Sequence, residues 1–250
     1  MEYLPFYASS EVSIQRYSDI SSYYLEQKSF SLWRSLRIDN PNSGIFGELF
    51  LDFYARVCND DSDVLYGFAA RRSYRSRGEN KGVDYFGYST KGGHGKIIFG
   101  EAKFVKNSLS AQKELISDIQ NHVKDIELNS FCGFALQKVD SGNIQLKDAN
   151  ITIDKLNDKM FCEDKTFICA ANELGVSVHM IFFAIFQPEK DDYGFLRERF
   201  CRINTEATDA AGEVSLNNFS YEVVFIPVDN VPMDIRKKII EYYNNAGGRS

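Results

Sequence analysis

The sequence lacks paired cysteine motifs and any long hydrophobic run, and both absences narrow the class of protein. Its five cysteines are scattered and form no CxxC pair, which argues against a zinc knuckle and is typical of reduced cytosolic thiols. The longest apolar run, VHMIFFAIF at 178–186, has nine residues, whereas a membrane-spanning helix needs about 20. Residues 1–13 lack the basic start and apolar core of a signal peptide. The sequence therefore predicts a soluble, cytoplasmic protein with no membrane partner.

An excess of positive charge is also absent. The 250 residues include 29 lysines and arginines against 35 acids, so the formal net charge is −6. Such a chain does not hold nucleic acid through its overall field, and any such contact must come from a local basic patch or a partner. The hydrophobic content of 44% is enough to bury a core, and the length suits one large domain.

Hydrophobic periodicity predicts an α/β protein, a mixed central β-sheet flanked by helices. The predicted helices cover 44–59, 109–126 and a closing segment from Pro232 to about 244, and the predicted strands cover 65–76, 82–90, 96–105, 176–186 and 221–228. Residues 128–172 have no clear period and are expected to be irregular. We expect a single domain, 1–250, with its core at about 44–126 plus 176–245. Residues 1–40 and 128–172 are then peripheral and candidates for a partner surface.

The stretch KGVDYFGYSTKGGHGKIIFGEAKF, residues 81–104, places charges in a strand that is otherwise apolar. If the chain turns in a two-residue loop at the glycine pair 92–93, Asp84 lies directly opposite Glu101. Lys103 follows on the same face, because side chains alternate along a strand. A five-residue loop centred on the second glycine would instead put Asp84 on the other face.

Facing carboxylates of this kind predict a cation site. At about 5 Å they repel by roughly 3 kcal/mol for an effective dielectric constant of about 20, and a proton or a cation between them relieves the repulsion. Oxygen ligands from two strands suit Mg²⁺ or Mn²⁺, and a neighbouring lysine can activate a water or stabilise charge on a phosphate. We therefore expect Asp84 and Glu101 to hold the metal and Lys103 to assist. The alternative is a Glu–Lys surface pair on an edge hairpin, with Asp84 solvated.

Asp84 followed by Glu101-Ala102-Lys103 resembles the D…(E/D)xK motif of restriction-endonuclease-like nucleases, the PD-(D/E)xK superfamily. The segments GELFLDFY, KGVD and GEAKF are similar, more narrowly, to HamA, the nuclease subunit family of Hachiman antiphage defence, over about 44–125. Val83 stands where the motif usually has proline. The resemblance implies a restriction-endonuclease-like core and a Mg²⁺- or Mn²⁺-dependent deoxyribonuclease. It also implies a superfamily 2 helicase partner (HamB-type) that restrains the nuclease until DNA is damaged or invaded.

The same resemblance implies a further acid, Glu48, on the helix that precedes the strands, as a catalytic and metal-binding residue. The alternative for Glu48 is a solvent-facing stripe with Gly44 and Asp52. Gln120 and His122, on the helix after Lys103, either steady the site or belong to an ordinary exposed face. His94 is expected to be incidental, and His179 to be a core residue with its polar atoms satisfied.

A basic run beside the predicted site has two interpretations, phosphate binding to DNA or a solvated strand end. Its members are Arg71, Arg72, Arg75, Arg77 and Lys81. The function also keeps two alternatives, which are a non-catalytic docking subunit with a nuclease-like fold and a nuclease that acts on RNA.

Overall fold

The computed structural model describes residues 45–55, 84–89, 95–130, 150–188 and 193–228, together with positions 237, 238 and 241. Its elements, in chain order, are α1 (Ile45–Phe53), β1 (Tyr85–Ser89), β2 (Lys96–Val105), α2 (Ser108–His122), α3 (Asn150–Asn157), a π-helical turn (Asp158–Cys162), α4 (Phe167–Leu174), β3 (Ser177–Phe186), α5 (Tyr193–Gly212) and β4 (Phe219–Pro227). Residues 125–130 are helical as well. Among these residues, no helix combines the length and the apolar character needed to cross a membrane.

The strands form one four-stranded sheet in the order β1-β2-β3-β4. Strand β1 is antiparallel to β2, whereas β2, β3 and β4 run parallel. A mixed sheet flanked by helices confirms the predicted fold class, and the four strands lie close to their predicted positions. The predicted strand at 65–76 lies outside the described residues, and so does most of the closing helix after Pro232.

Strand β3 is the most deeply buried strand, as its unbroken apolar sequence SVHMIFFAIF predicts. Every residue from Met180 to Phe186 is buried. Parallel strands with helices on both faces need apolar side chains on both faces, so they lose the alternation typical of half-exposed strands. The neighbouring strand β2 is nearly as apolar but carries Glu101 and Lys103.

The two faces of β2 pack against different helices. Ile97 and Phe99 point to the face covered by α2, where they share the core with Leu115 and Ile119. The other face lies against α1, because a Cβ atom added at Gly47 would be 3.4 Å from the Cβ atom of Ala102. Since side chains alternate, Glu101 and Lys103 belong to the face that α2 covers.

The region 128–172 differs from its prediction as an irregular segment. That prediction is wrong for residues 150–172, which contain α3, the π-helical turn and most of α4 and contribute buried residues such as Leu156 and Phe167. The signals for α4 are its caps. The Thr166 hydroxyl accepts a hydrogen bond from the Cys169 N–H group at 3.3 Å, and Gly175 ends the helix with a φ of 67°.

Helix α5 has no counterpart among the predicted elements, although it spans 20 residues. Most of its side chains are exposed, and its sequence YGFLRERFCRINTEATDAAG is largely polar. Only a few positions, including Ile203 and Ala207, reach the core. A stripe this narrow gives a weak periodic signal, because a helix that packs through small areas needs few large apolar residues.

Candidate metal centre

The register of the β1–β2 hairpin is the predicted one. The paired residues run from Tyr85 with Gly100 to Ser89 with Lys96, and one step outward places Asp84 opposite Glu101. The turn itself, at residues 90–94, lies outside the described residues. One Asp84 carboxylate oxygen accepts a hydrogen bond from the Ala102 N–H group at 2.9 Å. This bond fixes the Asp84 side chain against β2 beside Glu101.

Glu101 is a buried acid in an unfavourable environment. Only 4% of the residue is exposed, and its Oε1 atom finds no hydrogen-bond partner in the part of the chain that the structure describes. Burial raises the pKa of Glu101 well above its usual value, and the negative charges of Asp84 and Asp118 raise it further, against the opposing effect of Lys103. A carboxylate placed in this way is stabilised by a proton or a cation.

Helix α2 contributes two further polar side chains, Asp118 and His122, to the same place. They are four residues apart and therefore lie on one face of the helix. The Nε2 atom of His122 is 4.0 Å from Oε1 of Glu101 and 4.0 Å from Oδ1 of Asp118. Ligand atoms of Glu101, Asp118 and His122 all lie within 4.8 Å of one another, so these three residues can hold a metal ion.

The start of α2 sets this geometry. The Asn107 side chain caps the helix by accepting a hydrogen bond from the Ser110 N–H group at 2.9 Å. From that start, Ala111 and Leu115 are buried against the sheet, and the same helical face continues to Asp118 and His122. The apolar positions of α2 therefore place its two polar side chains over β2.

Lys103 forms an ion pair with the helix rather than with its own strand. Its Nζ atom is 2.8 Å from Oδ2 of Asp118. Burial lowers the pKa of Lys103, but Asp118, followed by Glu101 and Asp84, more than offsets burial, so the pKa rises and the ammonium stays charged. Burial lowers the pKa of His122, although Asp118 works in the opposite direction, which favours the neutral imidazole that binds metals.

Three of the four predicted catalytic residues, Asp84, Glu101 and Lys103, come together at β2. The alternative of a surface Glu–Lys pair on an edge hairpin is wrong, because β2 lies between β1 and β3 and Glu101 is buried. Among the described residues, neither Asp84 nor Glu48 is a member of the group of possible metal ligands, which consists of Glu101, Asp118 and His122. Glu48 lies on α1, over the opposite face of β2. Because Glu48 is only 5% exposed, its alternative prediction as part of a solvent-facing stripe is wrong.

Asp118 is the residue of this site that sequence reasoning missed. A signal for it exists, because Asp118 follows Leu115 by three residues and precedes His122 by four, which places it on the buried face. Of the two polar candidates on α2, only His122 joins the site. Gln120 is exposed and donates a hydrogen bond to Glu206 of α5 at 3.1 Å.

The remaining candidates are the basic run and two histidines. The basic run at 71–81 and His94 are outside the described residues. His179 matches its prediction as a satisfied histidine, since its Nδ1 atom is 2.9 Å from Oγ of Ser220 and its Nε2 atom is 3.7 Å from a carboxylate oxygen of Glu222.

The residues present fit a divalent cation. They combine an acid whose Oε1 atom has no hydrogen-bond partner among the described residues, two more acids, Asp84 and Asp118, and an imidazole whose pKa is lowered by burial. The HamA family model matches residues 1–242 of the chain. Searches of the curated proteins and of the solved structures found no match.

Proposed function

The chain belongs to the HamA family, which makes it a subunit of Hachiman antiphage defence, and on that premise we propose that it is a divalent-metal-dependent deoxyribonuclease. The observation that carries the proposal is the placement of Glu101. This acid is buried, lies opposite Asp84 and faces Asp118 and His122. A buried acid that lies among other acids is expected to bind a cation, because a cation relieves their mutual repulsion.

In this proposal Asp84 and Glu101 hold Mg²⁺ or Mn²⁺, and Asp118 supports them from α2. A bound divalent ion polarises a phosphoryl oxygen and lowers the pKa of a water that it binds. Lys103 supplies a fixed positive charge, because Asp118 holds its ammonium at 2.8 Å. That charge orients the attacking water or stabilises the negative charge that develops on the phosphate.

Glu48 keeps the role of an additional carboxylate in this proposal, although it lies on α1 and not on α2 or β2. Its burial gives it an environment unlike that of a surface glutamate. A Glu48→Gln variant tests the role directly. We expect slower cleavage with unchanged folding, and an unchanged rate would remove Glu48 from the site.

Contacts to DNA are proposed to come from two sources. The basic run at 71–81 is the local candidate for holding phosphates, since the chain as a whole carries a net charge of −6. A helicase partner is proposed to supply most of the grip and to restrain cleavage until DNA is damaged or invaded. Residues 1–40 are proposed as part of the surface that this partner binds.

The test is plasmid cleavage in Mg²⁺ by the purified protein and by a Glu101→Ala variant. We expect the variant to be slower by at least about a hundredfold. Glu173→Ala is the matched control, because Glu173 is an exposed glutamate with lysine partners, and it is expected to leave cleavage unchanged. Equal activity of the wild type and Glu101→Ala would contradict the catalytic assignment.

Restraint by the partner is separated from lack of activity by repeating the assay with the helicase present. Cleavage by the protein alone that the partner suppresses until damaged DNA is added supports a restrained enzyme, whereas cleavage that appears only with the partner supports a partner-dependent one. Absence of Glu101-dependent cleavage under both conditions would favour a non-catalytic docking subunit. The same cleavage assay on RNA distinguishes a deoxyribonuclease from a nuclease that acts on RNA, because cleavage of RNA alone would contradict the DNA assignment.

A further inference from the structure

We propose that Glu101, Asp118 and His122 form one cation site of mixed oxygen and nitrogen ligands, and that His122 makes this site prefer Mn²⁺ to Mg²⁺. The inference rests on the proposed function, because it concerns the cation of the same site. It goes further by assigning α2 a ligand pair and by naming the residue that sets metal preference.

The spacing of the three side chains fits one ion. Two ligand atoms that each lie about 2.1 Å from an ion are separated by about 3 Å at a right angle and by about 4.2 Å when opposite. The separations of 4.0 Å from His122 Nε2 to Glu101 Oε1 and to Asp118 Oδ1 fall within this range. All three ligand atoms lie within 4.8 Å of one another, so the side chains must rotate toward a common centre to close on one ion.

The Glu101 side chain gives an independent indication that a ligand belongs here. Its Oε1 atom is buried and is satisfied by no hydrogen bond among the described residues. The nitrogen of His122 at 4.0 Å is too far for a hydrogen bond. A cation between these two atoms would satisfy the buried oxygen and would take the imidazole as a second ligand.

The two carboxylate oxygens of Asp118 face different side chains. Oδ2 contacts the Lys103 ammonium at 2.8 Å, while Oδ1 is the atom that lies 4.0 Å from His122. Asp118 can therefore bind a cation through Oδ1 without releasing Lys103. This arrangement would fix the distance between the cation and the positive charge of Lys103.

The imidazole is the ligand that discriminates between metals. Mg²⁺ favours oxygen ligands and keeps much of its water, whereas imidazole nitrogen suits the transition metals, among which Mn²⁺ also accepts carboxylates. The chain has three histidines. His179 contacts Ser220 and Glu222 on β4. His94 lies outside the described residues, so a His94→Gln variant is part of the test.

The experiment measures Mn²⁺ bound to the full-length protein by electron spin echo envelope modulation, which detects the nitrogen of a coordinated imidazole. We expect the nitrogen signal in the wild type, its loss in His122→Gln, and its retention in His94→Gln and His179→Gln. Titration should show Mn²⁺ binding weakened by at least about tenfold in His122→Gln, with a smaller change for Mg²⁺. Asp118→Asn should weaken the binding of both ions.

The inference is overturned if Mn²⁺ does not bind, if bound Mn²⁺ shows no nitrogen signal, or if the signal survives in His122→Gln. Equal loss of Mn²⁺ and Mg²⁺ binding in His122→Gln would also contradict the preference for Mn²⁺. Circular dichroism of each variant verifies folding. Failure here is distinguishable from failure of the proposed function. Glu101-dependent cleavage in Mg²⁺ without a nitrogen signal would support the nuclease and contradict the His122 site. A nitrogen signal without such cleavage would support the metal site and contradict the nuclease.

Discussion

Two groups of acids and bases in this molecule contain similar residue types, but the pKa of a glutamate is shifted in opposite directions in the two groups. The buried cluster consists of Asp84, Glu101, Lys103, Asp118 and His122, between the β1–β2 hairpin and α2. The surface cluster consists of Lys159, Glu163, Lys165 and Glu173, around the π-helical turn and α4. In the buried cluster the pKa of Glu101 is raised by burial and by neighbouring acids. In the surface cluster, bonds from Lys159 and then Lys165 lower the pKa of Glu173 to about 2.

The difference comes from charge balance as well as from burial. Glu173 contacts Lys159 at 2.6 Å and Lys165 at 2.7 Å, so the surface cluster has a lysine for each glutamate. The buried cluster has three acids, Asp84, Glu101 and Asp118, around the ammonium of Lys103. Exposed pairs of the first kind contribute little to stability. An excess of buried negative charge costs free energy, and we interpret it as a site that a cation completes.

The largest expected effect concerns the two lysines. Lys103→Met should slow DNA cleavage by about 10²- to 10⁴-fold, because it removes a positive charge held at the reacting phosphate. Lys165→Met is the matched control and should leave the rate unchanged, since Lys165 forms ion pairs with the exposed Glu163 and Glu173. Rates are compared on the same plasmid at saturating Mn²⁺. Equal rates for the wild type and Lys103→Met would remove Lys103 from the mechanism.

Cation binding at the buried cluster should stabilise the folded protein, and the surface cluster should make no contribution to this gain. Mn²⁺ at a hundred times its dissociation constant should raise the free energy of unfolding by about 2.7 kcal/mol, because only the folded chain presents the site. Addition of a chelator should reverse the gain. Glu101→Gln should abolish most of it, and Glu173→Gln should retain it, as measured by thermal unfolding. A gain of the same size in Glu101→Gln would place the cation elsewhere.

Without metal, neutralising the buried acid should stabilise the protein. Glu101→Gln is expected to raise the free energy of unfolding by about 1 kcal/mol at neutral pH, since it removes a buried acid that must either stay charged or take up a proton, and whose Oε1 atom has no hydrogen-bond partner among the described residues. Glu173→Gln removes an acid that has two lysine partners and should not stabilise. Urea unfolding with a chelator present measures both. A loss of stability in Glu101→Gln would show that the acid is already compensated.

Local rules were sufficient to predict the hairpin half of the site. The glycine pair at 92–93 predicts a two-residue turn, and that turn predicts the register that the Tyr85–Gly100 pair confirms. Apolar periodicity predicts α2 and the burial of β2 and β3. These features depend on residues close together in the chain, so the sequence pattern contains them.

The helix half of the site depends on how α2 packs on β2. Helical spacing places Asp118 on the buried face of α2, but the sequence pattern does not show that its carboxylate lies 2.8 Å from the Lys103 ammonium. Helices α4 and α5 escaped prediction for a related reason. Their buried stripes are short or sparse. Both helices contribute to the shared core, and α5 is also bonded to α2 through Gln120 and Glu206.

The smallest expected effect is a difference in the sign of pH dependence between the two clusters. The folded pKa of Glu173, about 2, lies below its usual value of 4.5, so its stabilising contribution is present above pH 4.5 and is lost as the pH falls toward 2. The folded pKa of Glu101 is raised, so in metal-free protein its contribution is present below pH 4.5 and is lost as the pH rises through the folded pKa.

Urea unfolding of the wild type and the two glutamine variants, from pH 2.5 to 8 with a chelator present, measures these slopes. The advantage of the wild type over Glu173→Gln should shrink as the solution is acidified below pH 4.5. The advantage of Glu101→Gln over the wild type should be small at pH 4.5 and should grow as the pH rises. Other titrating groups cancel in each comparison, because the variants share them. Slopes of the same sign would mean that Glu101 is compensated within the protein, and the case for a cation at the buried cluster would fail.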